Sequence, residues 1–226
     1  MIGITFLHTK SRKIDFRSVQ AWNNRGKSET IPGLKQVKTK YKDIGFTIKD
    51  YHGDNEFEHL HNFLAPAHLQ TCAADDHIGN IERYIRSIKE RVRCGYHSIS
   101  YKKFTKLITI YLVQDMITCL NMFPFKNGIS SNLSPAAIVL GSPNPDYNKL
   151  RITFGAYAQV YICTTNIKKQ IAVGAIALIP SNERGGYYFM SLDTGKQLHG
   201  LIWTEPSINE RVISRVNDLA TKEKQP

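Results

Sequence analysis

Long apolar runs are missing: no stretch approaches the roughly 18 residues that a membrane span needs. Closely spaced cysteines are missing too. Cys72, Cys94, Cys119 and Cys163 lie far apart with no CxxC pair, so a cysteine-type zinc site has no support and the four read as plain thiols. The opening "MIGITFLHTK" has neither the n-region nor the long apolar h-region of a signal peptide. The expectation is a soluble intracellular protein without a disulfide framework. Acidic residues are the remaining shortage: 19 Asp and Glu face 30 Lys and Arg, a formal charge of +11. That balance suits a polyanionic partner, most often nucleic acid, better than a membrane or a small-molecule substrate.

The 226 residues, 42% of them hydrophobic, can form one ordinary domain and a smaller one. The cations are not spread evenly. Lys10, Arg12, Lys13, Arg17, Arg25, Lys27, Lys35, Lys38 and Lys40 form one cluster, and residues 83–93 form another. Clustering favours a binding surface over general solvation.

"GITFLHT" and "KIDFRSVQAW" alternate apolar and polar residues and read as paired strands. "NNRGKSET" reads as a loop. Ser28 or Thr30 would cap a helix through "LKQVKTKYKDIG", buried at Leu34, Val37 and Tyr41 and ended by Gly45. "FTIKDYH" is the next strand, which puts Asp54 just past a strand end, and "HLQTCAA" is a weaker strand. "DDHIGNIERYIRSIKERVRCGYH" is the clearest helix, capped by Asp75, Asp76 or Asn80, with Ile81, Ile85, Ile88 and Val92 as its apolar stripe. "YKKFTKLITIYLVQDMITCLNM" predicts a buried helix ended by Pro124. "SPAAIVLG" predicts a short one with Ser134 as cap and Pro135 in its first turn. "GSPNPDYN" reads as a linker. The β-type runs that follow, through "LHGLIWTE", suggest a small antiparallel barrel or sheet. "SINERVISRVNDLA" closes as a helix, with "TKEKQP" expected to be a disordered tail. The class is α/β followed by an all-β unit, with boundaries at 1–141, 142–205 and 206–226.

Two carboxylates stand out by position. Asp54 follows a strand, and Glu82 lies in the first turn of the basic helix. At about 100° per residue, Glu82, Arg86, Lys89 and Arg93 share one face, beside the isoleucine stripe but off it. A strand-end Asp and a helical Glu facing a row of cations fit phosphoryl transfer: the acids hold Mg²⁺ through oxygen and the cations hold phosphate. The plainer alternatives are an ordinary helix ion pair from Glu82 to Arg86, and a turn or cap at Asp54.

"GDNEFE" resembles the motif after the fourth strand of retroviral-type integrase cores. "GNIERYIRSIKERVR" resembles their helix that carries the last acid of the catalytic Asp-Asp-Glu set. "SPAAIVLG" resembles the segment that closes the core, and "ITFGAYAQVY" the stretch that follows it in copia-type retrotransposons. The chain is similar, in motif order from near residue 3 to the 160s, to the integrase region of a copia-type LTR retrotransposon polyprotein, a transposable element. "IALIPSNERGGYYFMSL" and "WTEPSINERVISRVNDLA" resemble the connector towards reverse transcriptase. The resemblance implies an RNase H-like integrase core that lacks most of its first strand, then a small antiparallel β unit and a C-terminal helix. It implies DNA integration by Mg²⁺- or Mn²⁺-dependent polynucleotidyl transfer. Asp54 would be the second catalytic, metal-binding carboxylate and Glu82 the third. Arg83, Arg86, Lys89 and Arg93 would contact DNA, with Asn55 and Asn80 shaping the site. Integrases of this type work as multimers, so a homo-oligomer is implied, as is a nuclear location.

Two departures bear on activity. The family keeps 35 residues between its last two acids. Here 27 lie between Asp54 and Glu82, while Glu90 restores 35 but lies outside the motif. The family's first Asp belongs just upstream of the segment that matches "IGITFLHT", so it is expected before Met1. Asp15 falls on the wrong strand to replace it. Losing one of three metal ligands removes several kcal/mol of transition-state stabilisation, roughly a thousandfold or more in rate. The metal would then be held weakly or not at all. Three other readings compete: a nucleic-acid-binding module without metal chemistry, a histidine metal site among His52, His59, His61, His68, Cys72 and His77 (which lack H-E-x-x-H spacing), and a relic reading frame.

Overall fold

The computed structural model of the protein describes residues 3–22, 27–71, 79–126, 128–142, 147–162, 170–181 and 184–225. The chain is mixed α/β with six α-helices among the described residues, none of them long and apolar enough to cross a membrane. It divides into two compact units. One holds Thr5–Arg91 and Ile117–Pro145; the other holds Met1–Ile4, Val92–Met116 and Asp146–Pro226. Two helices, Gly79–Ser98 and Lys106–Met122, each contribute residues to both.

In the first unit, β1 (Thr5–Lys10) and β2 (Arg17–Trp22) pair antiparallel, from Thr5↔Trp22 to Lys10↔Arg17. Period-2 alternation gives this hairpin two different faces. Leu7 and Trp22 point to one side and join Leu34, Leu60 and Leu64 in a buried cluster. His8, Lys10 and Arg17 point to the other. α1 (Lys27–Asp43) covers the Leu7 face so closely that a Cβ on Gly33 would lie 2.3 Å from the Gln20 side chain. Leu34, Val37 and Tyr41 are buried as the periodicity predicts. The helix begins earlier than expected, at Lys27, and runs through Pro32. Pro32 is the sixth residue of the helix, beyond the four N–H groups that a helix start leaves free, so the helix carries it at the loss of one intrahelical hydrogen bond. Gly45, at φ 81°, ends the helix as expected: Phe46 N–H donates to Tyr41 O and Gly45 N–H to Lys42 O, both at 2.9 Å.

β3 is shorter than "FTIKDYH" suggested, covering Asp50–Gly53, and pairs in parallel with β4 (His68–Thr71). Between them a 3₁₀ turn (Asn55–Leu60) and α2 (His61–Leu64) bring Leu60 and Leu64 into the hairpin's cluster. α5 (Pro135–Leu140) is capped by Ser134, whose Oγ accepts from Ala137 N–H at 3.1 Å. Its Val139 packs with Val37 and Tyr41 of α1.

The second unit is built on a five-stranded antiparallel sheet. β5 (Tyr157–Tyr161), β6 (Ala172–Pro180), β7 (Tyr187–Ser191), β8 (Gln197–Gly200) and β9 (Trp203–Thr204) lie in the order β8-β7-β6-β5-β9. Only Leu201 and Ile202 join the two edge strands. Flat, the sheet would hold those edges about 19 Å apart, whereas the link reaches about 11 Å. The sheet must therefore curl. A Cβ on Gly200 of β8 would indeed lie 2.4 Å from Val160 of β5. The interior of the curl is packed by Val160, Ala175, Ala177, Tyr187 and Phe189.

α3 (Gly79–Ser98) and α4 (Lys106–Met122) precede the sheet, and α6 (Glu210–Lys222) follows it. Asn209 caps α6 through Val212 N–H at 3.1 Å, and Val212, Val216, Leu219 and Ala220 form its buried stripe. The expected disordered tail is instead ordered as far as Gln225. Thr221 and Lys222 finish α6, and Gln225 N–H donates to Ala220 O at 3.0 Å. Glu223 Oε2 accepts from Lys106 N–H at 2.7 Å, and Asn217 Oδ1 accepts from the N–H groups of Lys102 and Lys103. These bonds satisfy donors at and before the start of α4, which a helix leaves unpaired.

Candidate nucleic-acid interface

The site is organised by α3. Its buried line is Tyr84, Ile88 and Val92, spaced by four residues, while Ile81 and Ile85 of the expected stripe are half-buried. The aromatic ring takes the inner position because it meets the polar face of the hairpin: the Tyr84 ring lies edge-on to His8 with centroids 6.0 Å apart. The opposite face carries Glu82, Arg83, Arg86, Lys89, Glu90 and Arg93, all exposed. Among the described residues none of the four cations has a carboxylate partner, so Arg86 does not form the helix ion pair that Glu82 four residues before it suggested. From Arg83 to Arg93 the helix rises about 15 Å. That length passes about four or five phosphates of one duplex strand, spaced roughly 3.4 Å along the axis.

Asp54 directly follows β3 and is exposed. Its Oδ1 accepts from Asn55 N–H at 2.8 Å and its carbonyl from Phe57 N–H at 2.9 Å, so it caps the 3₁₀ turn. Glu56 and Glu58 are exposed in that turn. Asp54 and Glu82 belong to one compact unit. Among the described residues no group of three or more His, Cys, Asp or Glu side chains is arranged to hold a metal ion. Glu90 lies only about 80° around α3 from Glu82 and is equally exposed, so helix angle does not choose between them. The expected caps Asp75 and Asp76, with Cys72 and His77, lie outside the described residues, as does the side chain of Asn80. Of the remaining histidines, His52 meets the Arg12 guanidinium at 3.2 Å, and His59, His61 and His68 are exposed without converging.

The basic cluster near the start of the chain divides in two. Lys35 and Lys40 are exposed on α1. Lys10 and Arg17 are instead tied to Asp15, which is 97% buried at the end of the hairpin loop. Asp15 adopts φ 62°, a left-handed conformation that Asp tolerates better than most residues. It accepts from Lys10 Nζ at 2.7 Å and from the Arg17 guanidinium. Both cations lie against the rings of Tyr84 and Phe125, at 5.7–6.0 Å from the centroids. Arg17 N–H donates to Asn121 Oδ1 at 3.0 Å and its carbonyl accepts from Asn121 Nδ2 at 2.7 Å. Two of the cations expected at a binding surface thus fix the hairpin beside α3 and α4. The only hint in the sequence was that Lys10, Asp15 and Arg17 bracket one short loop.

This arrangement shapes the titration of its neighbours. Burial first, and then the nearby charge of Lys89, lowers the His8 pKa to about 4, so the imidazole is neutral at physiological pH. Burial raises the Tyr84 phenol above its ordinary range, opposed by Arg17 and reinforced by Asp15. Beside the α3 cations the hairpin therefore supplies a neutral His and one buried carboxylate shared by two cations. Comparison with protein-family models and with curated proteins finds no match for this chain.

Proposed function

We propose that this chain binds double-stranded DNA along the outer face of α3, as a retrotransposon-type integrase core would, and that the 226-residue chain by itself does not perform strand transfer. The observation that carries the reading is the row Arg83, Arg86, Lys89 and Arg93: four exposed cations on one helix, without carboxylate partners among the described residues. Cations of this kind neutralise phosphates and release counterions on binding. The element order adds support. An antiparallel hairpin, a helix, a parallel strand pair and a long basic helix follow one another as the integrase resemblance leads one to expect.

In this reading Asp54 and Glu82 are the two carboxylates that would meet Mg²⁺ or Mn²⁺. They offer two ligands where the transfer chemistry uses three, so metal binding is weak. DNA binding then does not need the metal. A protein acting on DNA in this way would work in the nucleus.

The test is fluorescence anisotropy with a labelled duplex over a salt series, with and without Mg²⁺. The expected log K against log salt slope is about −3 to −4, the same with and without Mg²⁺. A flat salt response would sink the proposal. A strand-transfer assay on donor-end DNA tests the second half: turnover that disappears in both Asp54→Ala and Glu82→Ala would show that the chain is an active transferase.

A further inference from the structure

Three buried polar atoms on the inner side of α3 have no hydrogen-bond partner: Arg17 Nε, the Tyr84 hydroxyl and His8 Nδ1. They belong to one neighbourhood. His8 and Lys10 share a face of β1 by alternation, and Arg17 pairs with Lys10 across the hairpin. The Tyr84 ring meets that face, with the His8 ring at 6.0 Å, Lys10 Nζ at 5.9 Å and Arg17 Cζ at 5.7 Å from its centroid. Tyr84 is only 5% exposed and Arg17 9%. The phenol lies within the field of Arg17 and Asp15. The charges do not balance either. Lys10 and Arg17 share the Asp15 carboxylate, and among the described residues neither has another ion-pair partner. The three groups sum to one positive charge, and Lys89 adds to the potential at His8. Buried charges are normally paired and buried donors normally bonded.

We infer that this cluster binds one small monovalent anion, a halide such as chloride, against Tyr84 on the inner side of α3. Donors and charge select the ligand class. Arg17 Nε–H and the spare hydrogens of the Lys10 ammonium can only donate, and the Tyr84 hydroxyl can donate as well. Neutral His8 joins them in the tautomer that carries its proton on Nδ1. One negative charge neutralises the cluster, whereas a water would fill the hydrogen bonds and leave the charge. A phosphate or sulfate brings four oxygens with several lone pairs each, more than these donors can meet in a buried site. A halide is a single atom that accepts from any direction. Bound there, it ties Tyr84 of α3 to β1 and β2 and stiffens the seat of the outer cation row. The site does not depend on the DNA-binding role of α3.

The experiment is thermal unfolding of the full chain, free of nucleic acid, in mixtures of sodium chloride and sodium gluconate at one fixed ionic strength. A ligand that binds the folded state alone raises stability with its concentration. The expected result is a melting temperature that climbs by roughly 3–5 °C for each tenfold rise in chloride above the dissociation constant. Lys10→Met, which leaves Asp15 and Arg17 as a neutral pair, should abolish the dependence. Lys35→Met removes the same charge from the exposed face of α1 and should keep the dependence in full. A melting temperature indifferent to chloride overturns the inference, because water alone then meets these donors. Equal dependence in the wild type and Lys10→Met, or equal loss in both lysine variants, also overturns it, because the effect then belongs to surface charge. Should Lys10→Met not fold, crystals soaked in sodium bromide replace it. An anomalous bromide peak within hydrogen-bonding reach of both Arg17 Nε and the Tyr84 hydroxyl is expected, and none there overturns the proposal.

Discussion

The two compact units fill their interiors by different means. In the sheet unit the deepest residues are apolar: Val160, Ile176, Leu178, Phe189 and Met190 are all at most 2% exposed. In the hairpin unit an Asp and an Arg are buried together. Five further buried polar atoms, His8 Nδ1, Arg17 Nε, Trp22 Nε1, Tyr51 OH and Tyr84 OH, have no hydrogen-bond partner among the described residues. Its strands form two separate pairs, where the other unit has five strands in one sheet. Apolar burial is non-directional and indifferent to pH. Buried charge holds only while every partner is present and correctly ionised. The lesson is that the unit bearing the proposed DNA surface is the one that buries an ion pair.

Removing Asp15 should expose that difference most sharply. Asp15→Ala leaves the Arg17 guanidinium buried without its carboxylate, a cost of about 3–5 kcal/mol. Hydrogen exchange should show lost protection in β1 and β2 and none in β5–β7; equal loss in both would erase the contrast. Next comes the quadruple change Arg83→Ala, Arg86→Ala, Lys89→Ala, Arg93→Ala. At low salt it should weaken duplex binding roughly hundredfold or more and flatten the salt slope by about 3–4. The melting curve should hardly move, because these side chains are exposed; a loss of fold instead would assign them a structural role.

Acid should drive the two units in opposite directions. His8 has a folded pKa of about 4 against an ordinary 6.5. Between those values the unfolded chain takes up a proton that the native imidazole refuses, so the hairpin unit loses stability as pH falls from 6.5 to 4 and nothing further below. Asp115 of α4 is the reverse case: burial raises its pKa from 3.8 to about 6. Its contribution is complete below 3.8 and is lost as pH rises through 6, so the sheet unit gains stability as pH falls across that window. Each effect is on the order of 2–3 kcal/mol at most. Hydrogen exchange at pH 4.5 and 7, with His8→Gln and Asp115→Asn as controls, should show the opposing trends, each removed by its own substitution. Smallest of all, Glu223→Ala should cost about 1 kcal/mol by uncapping Lys106, read as faster exchange in the first turn of α4.

Elements whose signals are local were legible in the sequence. Ser134 with Pro135 and Gly45 after α1 mark ends through bonds that reach only a few residues. The 3.6-residue period of α3 and the wide apolar face of α4 likewise need no knowledge of the fold. What was not legible depends on distant partners. Lys10 and Arg17 looked like surface cations because nothing nearby reveals that Asp15, Tyr84 and Phe125 enclose them. Asp54 looked like a metal ligand by motif, and the cap it forms with Asn55 was the plainer alternative. "TKEKQP" looked disordered because its polar residues have no local partner, while the one Glu223 finds is 117 positions back. The exposed face of α3 was legible because amphipathicity assigns its two sides before any contact is known.

That last bond also bears on the order of synthesis. A ribosome releases Lys106 long before Glu223 exists, and Asn217, which serves the N–H groups of Lys102 and Lys103, arrives almost as late. The opening turn of α4 therefore emerges with donors whose partners are synthesised more than a hundred residues later. α6 serves as the latch on a helix made much earlier.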